Sequence, residues 1–327
     1  MTRARRLLFH VVWIAISSGL ALLAAEAVLR TMDFSTGDGA GGAARRWSER
    51  HWQPVNAQGY RDVPWAPAGS MPAVVFLGDS FTEGHGVAFE ETYYHRLRTR
   101  LAATHVAYSL GASGASTRDE RAAYAAFRAA TGVAPATVVH QYFGNDIGDL
   151  LGRPPVWKPW PGLATLSRHS ELAELLWIYM EGVRWGRLYA DHHFDAYRDA
   201  DVFARHRADL GALVDDIHAG GARWVFVVFP FLDNDTYLDL SVDAYVGRMR
   251  DVFLARCRPG DAFLDVAPVA RAVALPERTV NTLDGHPSPR LHALVAGRLA
   301  PLFDGGATDG LLSCPAPSPA PAPPPGE

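Results

Sequence analysis

The feature that most constrains the fold is an alternation of short apolar runs with helical patterns, which begins at Ala73. The runs are rich in Val and Phe and lack polar alternation, which suits strands buried on both faces. They span residues 73–77, 106–110, 137–143, 224–229 and 262–266. The helical patterns span residues 91–103, 117–130, 203–219 and 242–257. This order predicts an α/β fold with a parallel sheet of about five strands and helices on both sides.

The N-terminus predicts a membrane anchor, because three arginines within the first six residues precede a nearly continuous apolar segment at 7–29. Such a basic flank is typical of a helix whose far end lies outside the cytoplasm. The segment is marginal, since the charge-free run between His10 and Glu26 is shorter than the roughly 20 residues that span a bilayer. A cleaved signal peptide is the alternative, because Ala25-Glu26-Ala27 has the form of a cleavage site. Both interpretations place the rest of the chain in the periplasm or outside the cell.

Changes in composition divide the chain into four predicted parts: an anchor or signal at 1–30, a stalk at 31–70, a catalytic domain at 71–304 and a tail at 305–327. The tail is rich in proline and is predicted to be disordered. Residues 147–200 interrupt the strand and helix alternation and are interpreted as an insertion that partly covers the site or packs onto the domain. Its tryptophans are Trp157, Trp160, Trp177 and Trp185.

Charge and cysteine content exclude several classes of partner. The formal net charge is −4 with both signs dispersed, so the sequence offers no basic surface for a nucleic acid. Cys257 and Cys314 have no metal-ligand spacing, and they either pair in an oxidising compartment or remain thiols.

Ser80 is the first candidate catalytic residue, because the first apolar run leads directly into Gly78-Asp79-Ser80. A serine at the carboxyl end of a parallel strand presents its hydroxyl at the edge of the sheet where α/β enzymes place their chemistry. Its backbone N–H can then stabilise an oxyanion. A plain turn with a helix cap is the alternative, since Gly, Asp and Ser are common in turns.

Two further loops and a late histidine complete the set of candidates. The second apolar run leads to Gly114, and the third leads to Asn145, whose carboxamide can donate to an oxyanion. His286 follows Asp284 by two residues near the end of the domain. A serine, a histidine and a carboxylate can act as nucleophile, base and orienter. Composition alone would also allow His85, His140 and His292.

In this order the four blocks resemble the SGNH (GDSL) hydrolase family, over about residues 73–302 without the insertion. The resemblance implies a flavodoxin-like three-layer α/β/α fold and activity on ester bonds with no metal or other cofactor. It also implies a catalytic Ser80, a base at His286, and oxyanion donors at Ser80, Gly114 and Asn145. The apolar N-terminus followed by the NAQGYRD sequence at 56–62 resembles membrane-anchored bacterial members.

One position departs from the usual family pattern, which places the acid three residues before the histidine. That position is Leu283 here, whereas Asp284 lies two residues before His286. The D-x-H spacing is similar to a variant in some SGNH relatives, including the polysaccharide O-acetyltransferase branch. Gly285 tolerates backbone angles closed to other residues, which would allow Asp284 to reach the imidazole. Asp284 is therefore predicted to orient His286, and the alternative is a Ser80–His286 dyad oriented by a backbone carbonyl.

The sequence thus predicts a serine esterase that hydrolyses an acyl ester, such as an O-acetyl ester, outside the cytoplasm through an acyl-enzyme. One alternative is an acyltransferase that uses the same site on a polysaccharide, and another is a carbohydrate-binding module without turnover. The expected partners are an ester substrate, on a glycan or a lipid, and the membrane through residues 7–29. Binding alone does not require a serine and a histidine to meet, which argues against the binding module.

Overall fold

The computed structural model describes residues 2–37, 41–151, 161–181 and 187–315. Its strands are β1 (Ala73–Gly78), β2 (Val106–Gly111), β3 (Thr137–Tyr142), β4 (Arg223–Val228), β5 (Ala262–Asp265), β6 (Thr279–Asn281), β7 (Asp284–Pro287) and β8 (Leu311–Ser313). The central sheet has the order β2-β1-β3-β4-β5-β8. The first five strands in that order are parallel, and β8 pairs antiparallel with β5. A separate antiparallel hairpin joins β6 and β7.

Helices cover the sheet and connect its strands. They are α1 (Arg3–Leu29), α2 (Gly42–His51), α3 (Ser80–Glu83), α4 (Tyr93–Leu101), α5 (Thr117–Thr131), α6 (Pro161–Ser167), α7 (Glu171–Glu181), α8 (Arg187–Arg198), α9 (Ala200–Ala219), α10 (Asp235–Ser241), α11 (Gly247–Arg256), α12 (Ala267–Arg271), α13 (Leu275–Arg278), α14 (Pro289–Leu299) and α15 (Pro301–Asp304). A π-helical turn, Val242–Val246, joins α10 to α11. Local sequence explains the helix ends: Ser116 and Asp119 form a capping box at the start of α5, and Gly132 ends it in a left-handed conformation.

The predicted α/β fold is confirmed. All five predicted apolar runs form the parallel strands, and they are buried because helices cover the sheet. The strand order 2-1-3-4-5 is that of flavodoxin-like sheets, in which ligands bind beyond the carboxyl ends of the strands. The sixth strand, β8, has no counterpart in the sequence prediction.

The predicted stalk is instead packed into the folded domain over much of its length. Helix α2 buries Ala43, Ala44 and Trp47, and its first N–H groups donate to Glu174 of α7. Arg61, also buried, donates to main-chain carbonyls on both sides of it in the sequence. Residues 31–70 show no helical or strand periodicity in the sequence, and yet many of them pack against the domain.

The predicted disorder of the tail does not hold for its first part. Residues 311–313 form β8 on the edge of the sheet, and Cys314 forms a disulfide with Cys257. Of the two interpretations of the cysteines, pairing is the one that the structure contains. The proline-rich remainder, from residue 316 onward, lies outside the described residues.

Parts of the predicted insertion are described, and they lie in two places. Helix α8 supplies Tyr189 to the pocket around Ser80, whereas α6 and α7 form a hairpin next to α1. Trp177 lies on α7. The predictions about Trp157, Trp160 and Trp185 fall outside the described residues.

Candidate active site

Ser80 lies where β1 passes into the single-turn helix α3, at the carboxyl end of the sheet. The preceding residue, Asp79, caps α3 by accepting a hydrogen bond from the backbone N–H of Phe81 at 2.9 Å. Gly84 ends the turn with a φ of 79°, a conformation that favours glycine. Ser80 is thus held on a short, capped turn, and its side chain opens into a pocket.

The structure brings Ser80, His286 and Asp284 into one hydrogen-bonded chain. His286 Nε2 lies 3.0 Å from Ser80 Oγ, and His286 Nδ1 lies 2.6 Å from Asp284 Oδ1. The same carboxylate oxygen also accepts from the backbone N–H of His286 at 3.1 Å. An aspartate two residues before the histidine therefore reaches the ring. Both residues lie in the short strand β7, and side chains two residues apart in a strand lie on the same face.

Gly285 is explained by a neighbour rather than by its backbone angles. It does not adopt a positive φ, in contrast to the reason expected from the sequence. A Cβ at this position would lie 2.6 Å from Oδ1 of Asp233. The glycine therefore leaves room for Asp233, which lines the same pocket.

The environment of Asp284 favours its ionised form. Burial raises its pKa, but the hydrogen bond from His286, the charge of that imidazole and a hydrogen bond from Ser35 outweigh burial and hold the pKa of Asp284 well below its usual range. The carboxylate is therefore negative wherever His286 titrates, and it stabilises the imidazolium that forms when a serine is deprotonated.

Ser35 is a site residue that sequence reasoning missed. Its hydroxyl donates to Asp284 Oδ2 at 2.5 Å, and both side chains are buried. The Asn281 side chain donates to the carbonyl of Ser35 at 2.8 Å and so fixes the segment in place. A lone serine in an irregular segment, 249 residues away from its partner, carries no sequence signal for this contact.

His85 forms a wall of the site. Its ring stacks on that of His286 with centroids 4.6 Å apart and also contacts Trp52. Arg61 holds the loop that carries His85, because its guanidinium donates to the carbonyls of Gly84 and Val87. Arg61 belongs to the NAQGYRD sequence, which thereby acquires a structural role beside the site.

The other candidate histidines have partners away from Ser80. His140 Nε2 lies 2.9 Å from Oε2 of buried Glu120. His292 accepts from the backbone N–H of Tyr93, and burial lowers its pKa to about 3. Composition alone could not rank these histidines, but the structure places His286 within hydrogen-bond distance of Ser80.

Gly114 and Asn145 line the same pocket as Ser80 and His286. Gly114 follows β2 and has a φ of 73°, a left-handed conformation that side chains disfavour. Asn145 follows β3. The structure therefore brings the three predicted oxyanion donors and the histidine to one crevice, as the carboxyl ends of neighbouring parallel strands require.

The pocket has a volume of about 320 Å³ and aromatic walls. Phe81 and Phe143 stack with centroids 4.4 Å apart, and Phe143 in turn contacts Phe231. Tyr189 from α8 closes another side. Apolar walls with a few convergent polar groups are typical of a small-molecule site.

Buried carboxyl groups adjoin the site residues along the chain. Burial, followed by the nearby charge of Glu120, raises the pKa of Asp79 to about 7. Burial also raises the pKa of Asp146 well above its ordinary value, and Glu120 and Asp79 add to this effect. These acids flank Ser80 and Asn145 in sequence, so burial favours the neutral form of the carboxyl groups next to the site.

Two groups among the described residues have side-chain spacing that would suit a metal ion. They are Glu120 with His140 and Asp146, and His85 with Asp284 and His286. In the second group, the two ring nitrogens of His286 already bond Asp284 and Ser80.

A serine, a histidine and an aspartate linked in this way at the carboxyl end of a parallel sheet are the arrangement of serine hydrolases. The sequence model of the GDSL-like lipase/acylhydrolase family matches residues 76–294, about two thirds of the chain. The chain therefore belongs to this family and is a serine hydrolase that acts on ester bonds. No curated protein sequence matches it.

Solved structures with a similar fold include esterases and lipases. A lipase/acylhydrolase from Enterococcus faecalis is 15% identical, with a TM-score of 0.42 over 72% of this chain and 96% of that one. The psychrotrophic esterase EstA from Pseudoalteromonas sp. is 13% identical, with a TM-score of 0.41 over 71% and 97%. A putative arylesterase from Agrobacterium tumefaciens is 15% identical, with a TM-score of 0.42 over 72% and 99%.

Proposed function

We propose that this chain is a membrane-anchored esterase that removes small acyl groups, such as acetyl, outside the cytoplasm. Ser80 is the nucleophile, His286 is the general base, and Asp284 orients the imidazole. The observation that carries this proposal is the continuous chain of contacts from Ser80 Oγ to His286 at 3.0 Å and from His286 to Asp284 at 2.6 Å. Such contacts are within the range that proton transfer requires.

In the first half of the reaction, His286 Nε2 takes the hydroxyl proton as Ser80 Oγ bonds to the ester carbonyl carbon. The carbonyl oxygen becomes an oxyanion, which the backbone N–H groups of Ser80 and Gly114 and the side-chain amide of Asn145 stabilise. The intermediate collapses, the bond to the alcohol oxygen breaks, and the imidazolium returns its proton to that oxygen. The alcohol leaves and the acyl group stays on Ser80.

In the second half, a water molecule replaces the alcohol. His286 takes one of its protons while the water oxygen bonds to the acyl carbon, and the same oxyanion donors stabilise the second intermediate. The bond from the acyl carbon to Ser80 Oγ then breaks, the proton passes back to the serine, and the carboxylic acid leaves. Asp284 stays ionised throughout, since its pKa lies far below that of an imidazole.

The size of the pocket supports a small acyl group. Its volume of about 320 Å³ is near the lower end of the range for ligand sites, roughly 300–1,000 Å³. The alcohol part of the ester, on a glycan or a lipid, would extend away from the aromatic walls formed by Phe81, Phe143 and Phe231.

Four observations support an anchored enzyme outside the cytoplasm. Helix α1 is long and apolar enough to cross a membrane, with a mean hydropathy of 2.1 and none of its apolar window buried. Arg3, Arg5 and Arg6 lie at its start, which favours a cytoplasmic N-terminus. Glu26 near its end bonds residues of α7, so the folded domain uses a residue that signal cleavage would remove. The disulfide between Cys257 and Cys314 is typical of oxidising compartments.

A fluorophosphonate probe tests the mechanism directly, because it forms a covalent bond with an activated serine. We expect one adduct on Ser80, its loss together with esterase turnover in Ser80→Ala, and its retention in Ser113→Ala, which alters a hydroxyl that bonds Glu83 beside the site. Labelling that persists in Ser80→Ala would contradict the assignment.

A second assay separates hydrolysis from transfer. An acetyl ester is supplied with and without a polysaccharide acceptor, and free acetate and acetylated glycan are both quantified. We expect acetate to form without the acceptor and its amount to be unchanged by it. Turnover that requires the acceptor would instead show an acyltransferase.

A further inference from the structure

The end of the anchor helix α1 is joined to the hairpin of α6 and α7 by polar contacts. The carboxylate of Glu26 accepts from the Ser170 hydroxyl at 2.8 Å and from the backbone N–H groups of Glu171 and Leu172 at 3.1 and 3.0 Å. Arg30 pairs with Glu26 at 2.8 Å and donates to the carbonyl of His169 at 2.9 Å. Glu26 thus acts as the N-terminal cap of α7, although it belongs to another helix.

A second set of contacts holds the hairpin against the domain. Glu171 pairs with Arg46 of α2, and Arg46 also donates to the carbonyl of Met32 at 2.9 Å. Glu174, one turn further along α7, accepts from Thr36 and from the first N–H groups of α2. One face of α7 is therefore fixed by polar contacts on the domain side.

The opposite side of the hairpin is apolar and exposed. Leu176 is 51% exposed, Leu166 is 53% exposed and Tyr179 is 67% exposed. Together with Leu22 and Leu23 of α1 they line a groove of about 800 Å³, in which the other apolar members include Leu163, Leu172 and Leu175. An apolar surface of this kind on a protein marks an interaction site.

The position of the groove along α1 indicates what fills it. Leu22 and Leu23 precede Glu26 by three to four residues, or about 5–6 Å along a helix. They therefore lie just inside the outer end of the apolar segment, where the charged group of Glu26 is already bonded to α7 and Arg30. Side chains at this level of a membrane helix are surrounded by lipid unless another part of the protein covers them.

We propose that this groove, between the end of α1 and the α6–α7 hairpin, binds an acyl chain of a bilayer lipid. The bound lipid would hold the domain against the outer face of the membrane that α1 spans. The inference rests on the proposed anchoring of α1. The hairpin acts as an interfacial element whose apolar side faces the acyl region while its polar side faces the domain, as in amphipathic helices that lie in the membrane plane. The pocket around Ser80 is then held at a fixed height above the bilayer, because the same hairpin bonds the segment that carries Ser35 and α2.

The contacts of Glu26 also explain how a short apolar segment that contains a carboxylate can act as an anchor. A carboxylate near the end of a short apolar run disfavours insertion, but Glu26 has its charge paired with Arg30 and its oxygens bonded to the start of α7. The apolar faces of the hairpin extend the lipid-facing surface beyond the helix itself.

The test uses the full chain in phospholipid vesicles with a thiol-reactive fluorophore at Leu176→Cys. The two native cysteines are joined in a disulfide, so the introduced thiol is the reactive one. The vesicles contain phospholipids with a nitroxide either on the acyl chain or on the headgroup. We expect acyl-chain nitroxides to quench most of the emission and headgroup nitroxides to quench less.

Met71→Cys is the matched control, because Met71 is 40% exposed and lies two residues before the amino end of β1. That edge of the sheet is opposite to the one that carries Ser80, and we expect its label to keep its emission in both vesicle types. Quenching at both positions would show non-specific adsorption and would overturn the proposal.

The remaining outcomes separate this inference from the anchoring on which it rests. A chain that an alkaline wash releases from the vesicles would overturn both. A retained chain whose Leu176→Cys label is unquenched, or is quenched only by the headgroup nitroxide, would overturn the acyl-chain groove alone. A retained chain whose label is shielded by a second copy, detected as a cross-linked dimer through residue 176, would assign the groove to self-association instead.

Discussion

The hydroxyl of Ser35 donates to Oδ2 of Asp284 at 2.5 Å, on the side of the carboxylate opposite to His286. Ser35 lies six residues after the end of α1, so the segment that leaves this helix ends against Asp284. Its carbonyl is held by Asn281, which lies next to the turn of the β6–β7 hairpin. Helix α1, the β6–β7 hairpin and the proposed catalytic triad are therefore connected by hydrogen bonds.

Replacement of Ser35 by alanine should weaken catalysis without abolishing it. This bond holds the Asp284 carboxylate in place against His286, and a hydrogen bond to a charged group contributes about 1.5–3 kcal/mol, so the looser carboxylate should lower kcat by up to roughly a hundredfold. The lost donor also leaves more negative charge on Asp284, which stabilises the imidazolium of His286. The acid limb of the profile of kcat/KM against pH should therefore move to higher pH in Ser35→Ala.

Thr36→Ala is a close control for this variant. Thr36 and Ser35 are each 3% exposed, but the Thr36 hydroxyl bonds Glu174 of α7 instead of Asp284. It should leave the acid limb in place. Equal shifts in the two variants would mean that Ser35 acts only by packing.

Asp284→Asn should keep the fold and reduce turnover by about ten-thousandfold, in line with the loss in a serine protease whose triad aspartate is changed to asparagine. An asparagine can still contact the imidazole, but it neither fixes the required tautomer nor stabilises the imidazolium. Steady-state kinetics on a small acetyl ester measure the effect. Asp233→Asn changes the other carboxylate near His286 and should cost far less. The reverse order would assign the orienting role to Asp233.

The strands and the residues at their ends could be predicted because both are local properties of the sequence. Buried parallel strands need unbroken apolar runs, and the topology then brings their carboxyl ends together. Ser80, Gly114 and Asn145 follow such runs directly, so their convergence needed no knowledge of side-chain contacts. The D-x-H contact depended on the path of β7, which spacing alone left open.

The contacts that were missed are long-range and involve residues without a distinctive pattern. Ser35 lies in a segment whose composition resembles a linker, and only its bond to Asp284 shows its place in the site. Strand β8 has three residues and precedes a proline-rich sequence, so its pairing with β5 gave too short a signal. Helix α1 and the hairpin of α6 and α7 meet through Glu26, whose charge had counted against a membrane span in the sequence analysis.

The activity of the unmodified enzyme should fall as pH decreases through the range of an imidazole, ordinarily near pH 6.5. Only neutral His286 can accept the serine proton. The pKa of Asp284 is held well below its usual range, so that group adds no second step between pH 5 and 8. Initial rates of acyl-enzyme formation across this range check the expectation. A profile without an acid limb, with acylation limiting, would contradict a histidine base.

The buried Asp79 should make stability depend on pH in a direction opposite to that of a salt-bridged aspartate. Its pKa is raised from 3.8 to about 7 in the folded chain, first by burial and then by the charge of Glu120. Between those values the folded chain keeps a proton that the unfolded chain has lost. The contribution of this group is therefore most favourable below pH 4, declines as pH rises, and reaches its lowest value above about pH 7.

Asp79→Asn removes this dependence, because an amide does not titrate while its oxygen can still accept from the N–H of Phe81. Any fixed cost of the new amide N–H₂ beside Gln141 is the same at every pH. The free energy of unfolding of the variant minus that of the unmodified chain should therefore become more positive from pH 4 to pH 7, by up to about 4 kcal/mol for a shift of roughly three pH units. Chemical unfolding of both proteins in detergent at several pH values measures this difference, and Asp251→Asn, on the exposed side of α11, serves as a surface control. If the curves for Asp79→Asn and the unmodified chain run parallel, Asp79 is ionised in the folded protein, and its negative charge must then be stabilised by the capped turn that carries Ser80.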